Sequence, residues 1–391
     1  MPSDGRRAAA RALWLKLHRW FGLSAGLVLA LIGTLGATLI VARPLDERLH
    51  AELFRARPEL AAPGPELPGA PLESARRRLL AEFGPQAAVS LRLPREAGQT
   101  LQARVSGPWT GTVYLHPHSV REQGRRGDAE GFVDFVFKLH SSLLLQDTGK
   151  ALLACLAAGY GLMLVTGIVL WWPRRWRLAF RIERRAGTLR LVYDLHRVAG
   201  ATLGLWIAVS VASGAYMAYR PIGGWISAAL GAKPAPAPVL PKTAPPTPAG
   251  GAPTLDALLA TAQQQLPGAA VFAVPVPTAA AKPVRIRFRV ADEPHPNGIS
   301  TVTLDPRDGR VLAVQRWEAI DTGARLVAWV YPLHTGEIGG PALEALNGAG
   351  GLTLGLLGAA GAWLWWRRRG GAPRRAAAAP PGPAPRSRSL T

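Results

Sequence analysis

Four of the eight histidines in this chain recur at matched positions. His140 precedes Trp171 by 31 residues and His334 precedes Trp365 by the same 31, each ahead of a long apolar run that ends in two tryptophans. His18 and His196 stand in Leu-His-Arg triplets that open two further apolar runs, "LHRWFGLSAG" and "LHRVAGATLG". Imidazole held at a set depth on a helix is suited to metal ligation. A haem iron takes two axial ligands from opposite sides, and neutral imidazole is a common one. Two helices that each offer a histidine at one level meet that demand. Arg19 and Arg197 directly follow His18 and His196. An interfacial arginine can hold a haem propionate by charge-assisted hydrogen bonds. The competing reading has interfacial histidines bonding lipid headgroups or loop carbonyls. An isolated histidine would favour it; four at repeat-related positions, two to a face, favour cofactor ligation.

The elements that must position these rings are membrane spans. Four windows hold no Asp, Glu, Lys or Arg: Trp20 to Ala42, Ala151 to Pro173, Val198 to Tyr219 and Ala345 to Trp366. Each is 22 or 23 residues long, and about 20 suffice to cross a bilayer core of roughly 30 Å. The first exceeds a signal-peptide core of about 7–15 residues and lacks an A-x-A exit, so it is expected to remain. The net charge of +21 lies mostly in short flanks. Residues 1–19 carry five Lys/Arg against one acid, 173–197 eight against two, and 367–391 seven against none. All three adjoin spans on one common side, the positive-inside pattern, which predicts both termini in the cytoplasm. Basicity of this kind orients a membrane protein and does not call for nucleic acid.

The resulting layout is a cytoplasmic N-terminus (1–19), a span (20–42), an external domain (43–147), a span (148–173) and a cytoplasmic loop (174–195). A span (196–220), a second external segment (221–344), a span (345–366) and a basic tail (367–391) follow. Each external segment reads as a helix followed by strands. In the first, Leu72 to Phe83 precedes "AVSLRL", "LQARVSG" and "GTVYLHP"; in the second, Thr254 to Leu266 precedes "AVFAVPV", "VRIRFRV", "ISTVTLDP" and "RVLAVQRW". Eight prolines in the 21 residues 233–253 predict an extended spacer. The tail, rich in Ala, Pro and Arg, has the composition of disorder. Spans 2 and 4 align at an offset of 194 and spans 1 and 3 share their openings, so the chain reads as a tandem repeat of one orientation.

Topology then sorts the histidines: His18 with His196 on the cytoplasmic face, His140 with His334 on the external one. About 20 helical residues at 1.5 Å each put the levels roughly 30 Å apart, so no cross-face pair can share an iron. His140 is expected to reach the bundle from an amphipathic helix marked by Phe132, Phe135, Leu139 and Leu143. Glycines within the spans, among them Gly26, Gly33, Gly36, Gly161 and Gly167, suit close helix approach. The Trp-Trp pairs mark the membrane interface. His116 and His118 read as a solvated turn, since Asp305 and Arg307 take their places in the second repeat; His50 and His295 carry no signal. Cys155, the single cysteine, excludes an intrachain disulfide and a cysteine-ligated cluster. No window carries the ionisable groups of an ion pathway, and no cytoplasmic segment is long enough for a dinucleotide-binding unit. An electron donor on that face would be a diffusible reductant or another protein.

At "LHRWFGL", "LHRVAGATLGLW", "LHTGEIGG" and the paired tryptophans before basic residues, the chain resembles the PepSY-associated transmembrane family. The resemblance implies a mainly α membrane protein of four transmembrane helices with two α+β PepSY-like periplasmic domains. It also implies haem b, two groups by the pairing above, with His18, His196, His140 and His334 as axial ligands. Some members are inner-membrane reductases of ferric siderophores; others have no assigned reaction. The expectation is therefore an inner-membrane b-type cytochrome that passes electrons from an unidentified cytoplasmic donor to a periplasmic ferric siderophore or similar chelate. The alternative is a non-enzymatic binding module without haem. The first loop departs from a well-formed PepSY domain in lacking the "DPRDG" turn of the second.

Overall fold

The chain enters through α1 (Ser3–Leu23) and continues in α2 (Ala25–Leu49) after a break at Ser24, whose hydroxyl donates to the Trp20 carbonyl at 2.7 Å. The first expected span is thus two helices that meet at an angle-capable joint, because Ser24 leaves helical geometry at φ −103°, ψ −89°. This computed structural model describes residues 3–61, 70–128, 130–173, 175–219, 221–231, 239–241, 251–277 and 282–369. Most of the expected spacer at 233–253 and the tail beyond residue 369 lie outside these residues.

A short α3 (Ala51–Phe54) leads to α4 (Pro71–Phe83), which opens on a proline and closes at Gly84, φ +90°. Strands β1 (Ala88–Arg92), β2 (Leu101–Ser106), β3 (Gly111–Leu115) and β4 (Glu122–Gly127) form an antiparallel meander. The chain returns to the helical layer through α5 (Phe132–Ser142) and α6 (Gln146–Trp171), then α7 (Thr188–Ala218) and α8 (Pro221–Ala229). The second half repeats the plan. Helix α9 (Leu255–Gln265) is capped by the Thr254 hydroxyl, which accepts the Ala257 N–H at 3.2 Å. Strands β5 (Ala270–Pro275), β6 (Val284–Arg289), β7 (Ser300–Leu304) and β8 (Val311–Gln315) follow, then α10 (Thr322–Ala328), α11 (Val330–Thr335) and α12 (Gly340–Arg369).

The two external segments share one sheet, in the order β4-β3-β2-β1-β5-β6-β7-β8. The seam is the antiparallel pair β1–β5, with Ser90 opposite Pro275 and Leu91 opposite Val274. Helices α4 and α9 cover one face. Leu79, Leu258 and Ala262 bury against alternate strand residues such as Leu91, Val105, Val113, Ile286, Phe288 and Leu304. The helix ends are cross-linked: Glu73 accepts the Leu255 N–H at 3.1 Å, and Asp256 accepts the N–H groups of Leu72 and Glu73 at 3.1 and 2.8 Å. Each helix therefore supplies the other's cap.

The open sheet face turns toward the helices. Arg126 on β4 pairs with Asp46 of α2 at 2.6 Å, and Lys138 of α5 pairs at 2.6 Å with Asp128, which also holds Arg104 of β2. Helices α2, α6 and α7 are long and apolar enough to cross a membrane. The fourth expected span lies in α12, which falls short on composition because six of its residues between 348 and 361 are glycine. Those glycines let α12 lie against α2; a Cβ at Gly33 would stand 2.9 Å from the Gly351 carbonyl oxygen. The bundle interior holds an apolar cluster of Leu29, Tyr160, Ile207 and Leu354, while Leu31, Leu162, Leu205, Leu352 and Leu356 point outward and exposed.

Candidate functional site: two histidine pairs

All four repeat-related histidines meet in pairs inside the bundle. His18 of α1 and His196 of α7 have ring centroids 6.3 Å apart, at the end away from the sheet. His140 of α5 and His334 of α11 have theirs 6.2 Å apart, toward the sheet.

One local device seats the rings. His140 Nδ1 donates to the Ile32 carbonyl at 2.9 Å, and His334 Nδ1 to the Ser210 carbonyl at 3.0 Å. Four residues further on stand Gly36 and Gly214, where a Cβ would lie 2.9 and 3.0 Å from the respective imidazole Cε1. A helix carbonyl is normally shielded by the side chain one turn later; glycine there opens a path to it. The far pair follows the same spacing. His18 Nδ1 bonds the Thr166 hydroxyl at 2.9 Å, and that hydroxyl donates to the Met163 carbonyl at 3.0 Å, with Gly167 under the ring. His196 lies over Gly361, its Nδ1 buried next to the Leu357 carbonyl but short of hydrogen-bond geometry. With Nδ1 carrying the proton for a carbonyl or hydroxyl, Nε2 keeps its lone pair free to bind a metal.

Sharp reversals bring the sheet-side rings into the bundle. Leu143, Leu144 and Gln146 take φ of 52°, 60° and 52°, so α5 folds back along α2. Gly336 and Gly340, at φ 90° and 58°, turn α11 against α12, where the Asn347 amide donates to the Leu333 and His334 carbonyls at 2.9 and 3.0 Å. Both histidines therefore sit against the helices of the bundle, His140 over Gly36 of α2 and His334 over Gly214 of α7. On α12, Gly361 beside His196 and Asn347 beside His334 are 14 residues apart; on α7, His196 and Gly214 are 18 apart. At 1.5 Å per residue the pairs stand about 21–27 Å apart along the bundle, less than the roughly 30 Å expected.

A ring nitrogen lies about 1.1 Å from the imidazole centre and bonds a metal at about 2.0–2.1 Å, so two imidazoles on opposite sides of one ion have centres about 6.2 Å apart. Both pairs have that separation. No group of three or more His, Cys, Asp or Glu gathers among the described residues. The chemistry on offer is two-ligand axial binding, with the other coordination positions left to a planar ligand. Arg197 donates to Asp194 at 3.2 Å and to the Arg181 carbonyl at 2.8 Å, keeping its buried Nε unpaired. Arg19 is exposed and forms no ion pair among the described residues.

Other residues depart from expectation. His116 is buried, not solvated: its Nδ1 accepts N–H groups from Ser119 at 3.3 Å and His118 at 3.4 Å. Asp305 does the same work in the second half, accepting the Arg307 N–H at 3.0 Å, so a histidine replaces an aspartate as the acceptor that closes the turn. His295 stacks on Tyr331 at 4.8 Å and ties a sheet loop to α11. Gly36 and Gly167 make room for imidazoles, not only for helices. Gly214 escaped sequence reasoning; the signal was a glycine four residues after a carbonyl at the matched level of each span.

The fold and site define a multi-helix membrane protein that carries two half-buried histidine pairs beneath an antiparallel sheet. The chain belongs to the PepSY-associated TM region family, whose profile matches residues 15–368. No curated protein matches the sequence.

Proposed function

We propose that this protein is an inner-membrane b-type cytochrome that reduces ferric chelates outside the cytoplasm. The carrying observation is the separation of 6.2–6.3 Å within both histidine pairs, each with free Nε2 atoms. His18 and His196 would hold one haem b, His140 and His334 the second, and Arg197 and Arg19 stand where they can take propionates of the first. Bound haem supplies one-electron redox chemistry at each level. Hydrogen bonds at Nδ1 fix the tautomers of His18, His140 and His334, and the apolar cluster around Tyr160 separates the two levels. One electron from a cytoplasmic reductant or reduced protein converts Fe3+ to Fe2+ in the chelate. Oxygen chelators hold the harder Fe3+ far more tightly, so reduction releases the metal.

In this reading α12 is the fourth span, supported by the exposed Leu352 and Leu356 on its outer side. Both termini are cytoplasmic, by the basic flanks, and the two halves are a tandem repeat, supported by the palindromic strand order. The test is haem content by reduced-minus-oxidised spectra in His18→Ala, His196→Ala, His140→Ala and His334→Ala, singly and in pairs. Same-side doubles should lose no more than one haem and cross-side doubles both. A colourless wild-type preparation from haem-replete cells sinks the proposal and leaves a binding module.

A further inference from the structure

The open face of the sheet carries a set of arginines that the histidine pairs do not use. Arg92 of β1, Arg95 of the following loop and Arg287 of β6 all lie over one ring, Phe272 of β5, at 4.9, 5.2 and 5.6 Å from its centroid. Phe272 is the bulged residue next to the β1–β5 seam, between Val271 and Ala273. Arg43, at the sheet end of α2, lies 5.3 Å over Phe137 of α5, three residues before His140. Among the described residues, Arg43, Arg92 and Arg287 form no ion pair with a carboxylate. Arg95 reaches only the Asn297 side-chain oxygen, and Arg287 only the Gly298 carbonyl.

Guanidiniums this close repel one another, and among the described residues the carboxylate that acts on Arg287, Glu293, does so without an ion-pair contact. Burial and the like charges of Arg95, Arg43 and Arg104 hold Arg92 below the usual arginine range; burial lowers Arg287 as well, against the opposing charge of Glu293 and with the like charge of Arg285. The Tyr331 ring, three residues before His334, is within electrostatic reach of Arg92. Arg92 keeps contact with solvent although protein surrounds it, the condition of a recess wall. A cavity of about 360 Å³ lined by Arg285, Arg287, Ile299 and Thr301 shares Arg287 with the cluster over Phe272, and its volume is within the range of small-molecule sites. An oxygen-rich anion would relieve the repulsion by charge-assisted hydrogen bonds while its aromatic or methylene parts rest on Phe272.

We infer that this recess binds iron chelates of net negative charge, the carboxylate and catecholate class, in preference to neutral hydroxamate complexes. The purpose of the site rests on the electron-transfer reading, because the recess lies between the sheet seam and the helices that carry His140 and His334. Its binding does not.

The test uses the full chain in phosphatidylcholine nanodiscs, with redox-inert gallium(III) complexes in place of iron. Gallium(III) tris-catecholate should bind at least about tenfold more tightly than neutral gallium(III) tris-hydroxamate and weaken as salt rises. The Arg92→Gln/Arg287→Gln double variant should lose about tenfold or more in affinity for the anionic complex alone. The Arg92→Lys/Arg287→Lys variant, which keeps the charge, should stay nearer the wild type. Equal affinity for the two complexes overturns the inference, as does an unaltered affinity in the Gln variant. If that variant instead loses co-purified phosphatidylglycerol, or loses haem, while chelate binding persists, the arginines serve lipid or propionate and the inference fails. A colourless wild-type protein that still prefers the anionic complex would support the site and sink the cytochrome reading.

Discussion

His140 and His334 face each other with ring planes 37° from parallel, whereas His18 and His196, at nearly the same separation, stand at 86°. Axial imidazole planes decide how an iron's ligand-facing orbitals split: near-parallel planes separate them, and perpendicular planes leave them nearly equal. With a haem held by each pair, as proposed, the oxidised protein should therefore give two low-spin electron paramagnetic resonance signals. The more anisotropic one should disappear in His196→Ala and the more rhombic one in His334→Ala. One signal shared by both sites would contradict the geometry.

The glycines under the rings should respond in graded fashion. A Cβ at Gly36 or Gly214 would stand 2.9 or 3.0 Å from an imidazole carbon, tighter than a ring wedged between helices can yield. At Gly167 and Gly361 the distances are 3.3 and 3.5 Å. Gly36→Ala and Gly214→Ala should each cost the sheet-side cofactor, and Gly361→Ala should leave the far-side spectrum near wild type. Equal loss in all three variants would show that helix packing, not the ring, sets the need for glycine.

Reciprocal capping should couple the two halves of the sheet layer. Glu73→Ala should speed amide exchange at Leu255, and Asp256→Ala at Leu72 and Glu73, the N–H groups each carboxylate holds. Each substitution removes a cap worth about 1 kcal/mol. The double variant should cost less than the sum of the singles, since each cap supports the helix that bears the other. Strict additivity would mean that the seam strands alone join the halves.

The matched turns should part company in mild acid. Burial and the neighbouring His118 hold His116 below the ordinary value of 6.5, so its neutral acceptor form favours folding. That contribution is present above about pH 6.5 and is lost as pH falls toward the folded pKa, because the unfolded chain binds the proton first. Asp305 is lowered from 3.8, chiefly by its hydrogen bonds with Arg307, so its contribution persists until below about pH 4. The protection factor of the Val120 amide, corrected for the intrinsic exchange rate, should fall between pH 7 and 5, while that of Gly309 is kept. His116→Asp should remove the difference.

Three of the four expected spans, the helix-then-strands order of both sheet-forming segments and the recurrence of the four histidines were legible from local pattern. Apolar runs, alternation and repeat offsets act within a few residues of the chain. α4 and α9 fall within a residue of their expected limits for that reason. The break at Ser24 was not legible, because serine is tolerated within a helix and the joint depends on what the two segments pack against. The turn at His116 misled because exposure belongs to the surroundings and not to the residue type.

By itself the sequence determined that four histidines recur at matched spacing, that three segments are apolar enough to cross a membrane, and that each sheet-forming part runs helix then strands. Tertiary structure alone decided that those parts share one sheet, since strand pairing through the β1–β5 seam is written in no local pattern. It decided that α5 and α11 fold back so that His140 and His334 meet within the bundle. It also gathered the arginines of β1 and β6, nearly two hundred residues apart in the chain, over one phenylalanine ring. Those outcomes are choices among long-range contacts, and only the packed chain compares their energies.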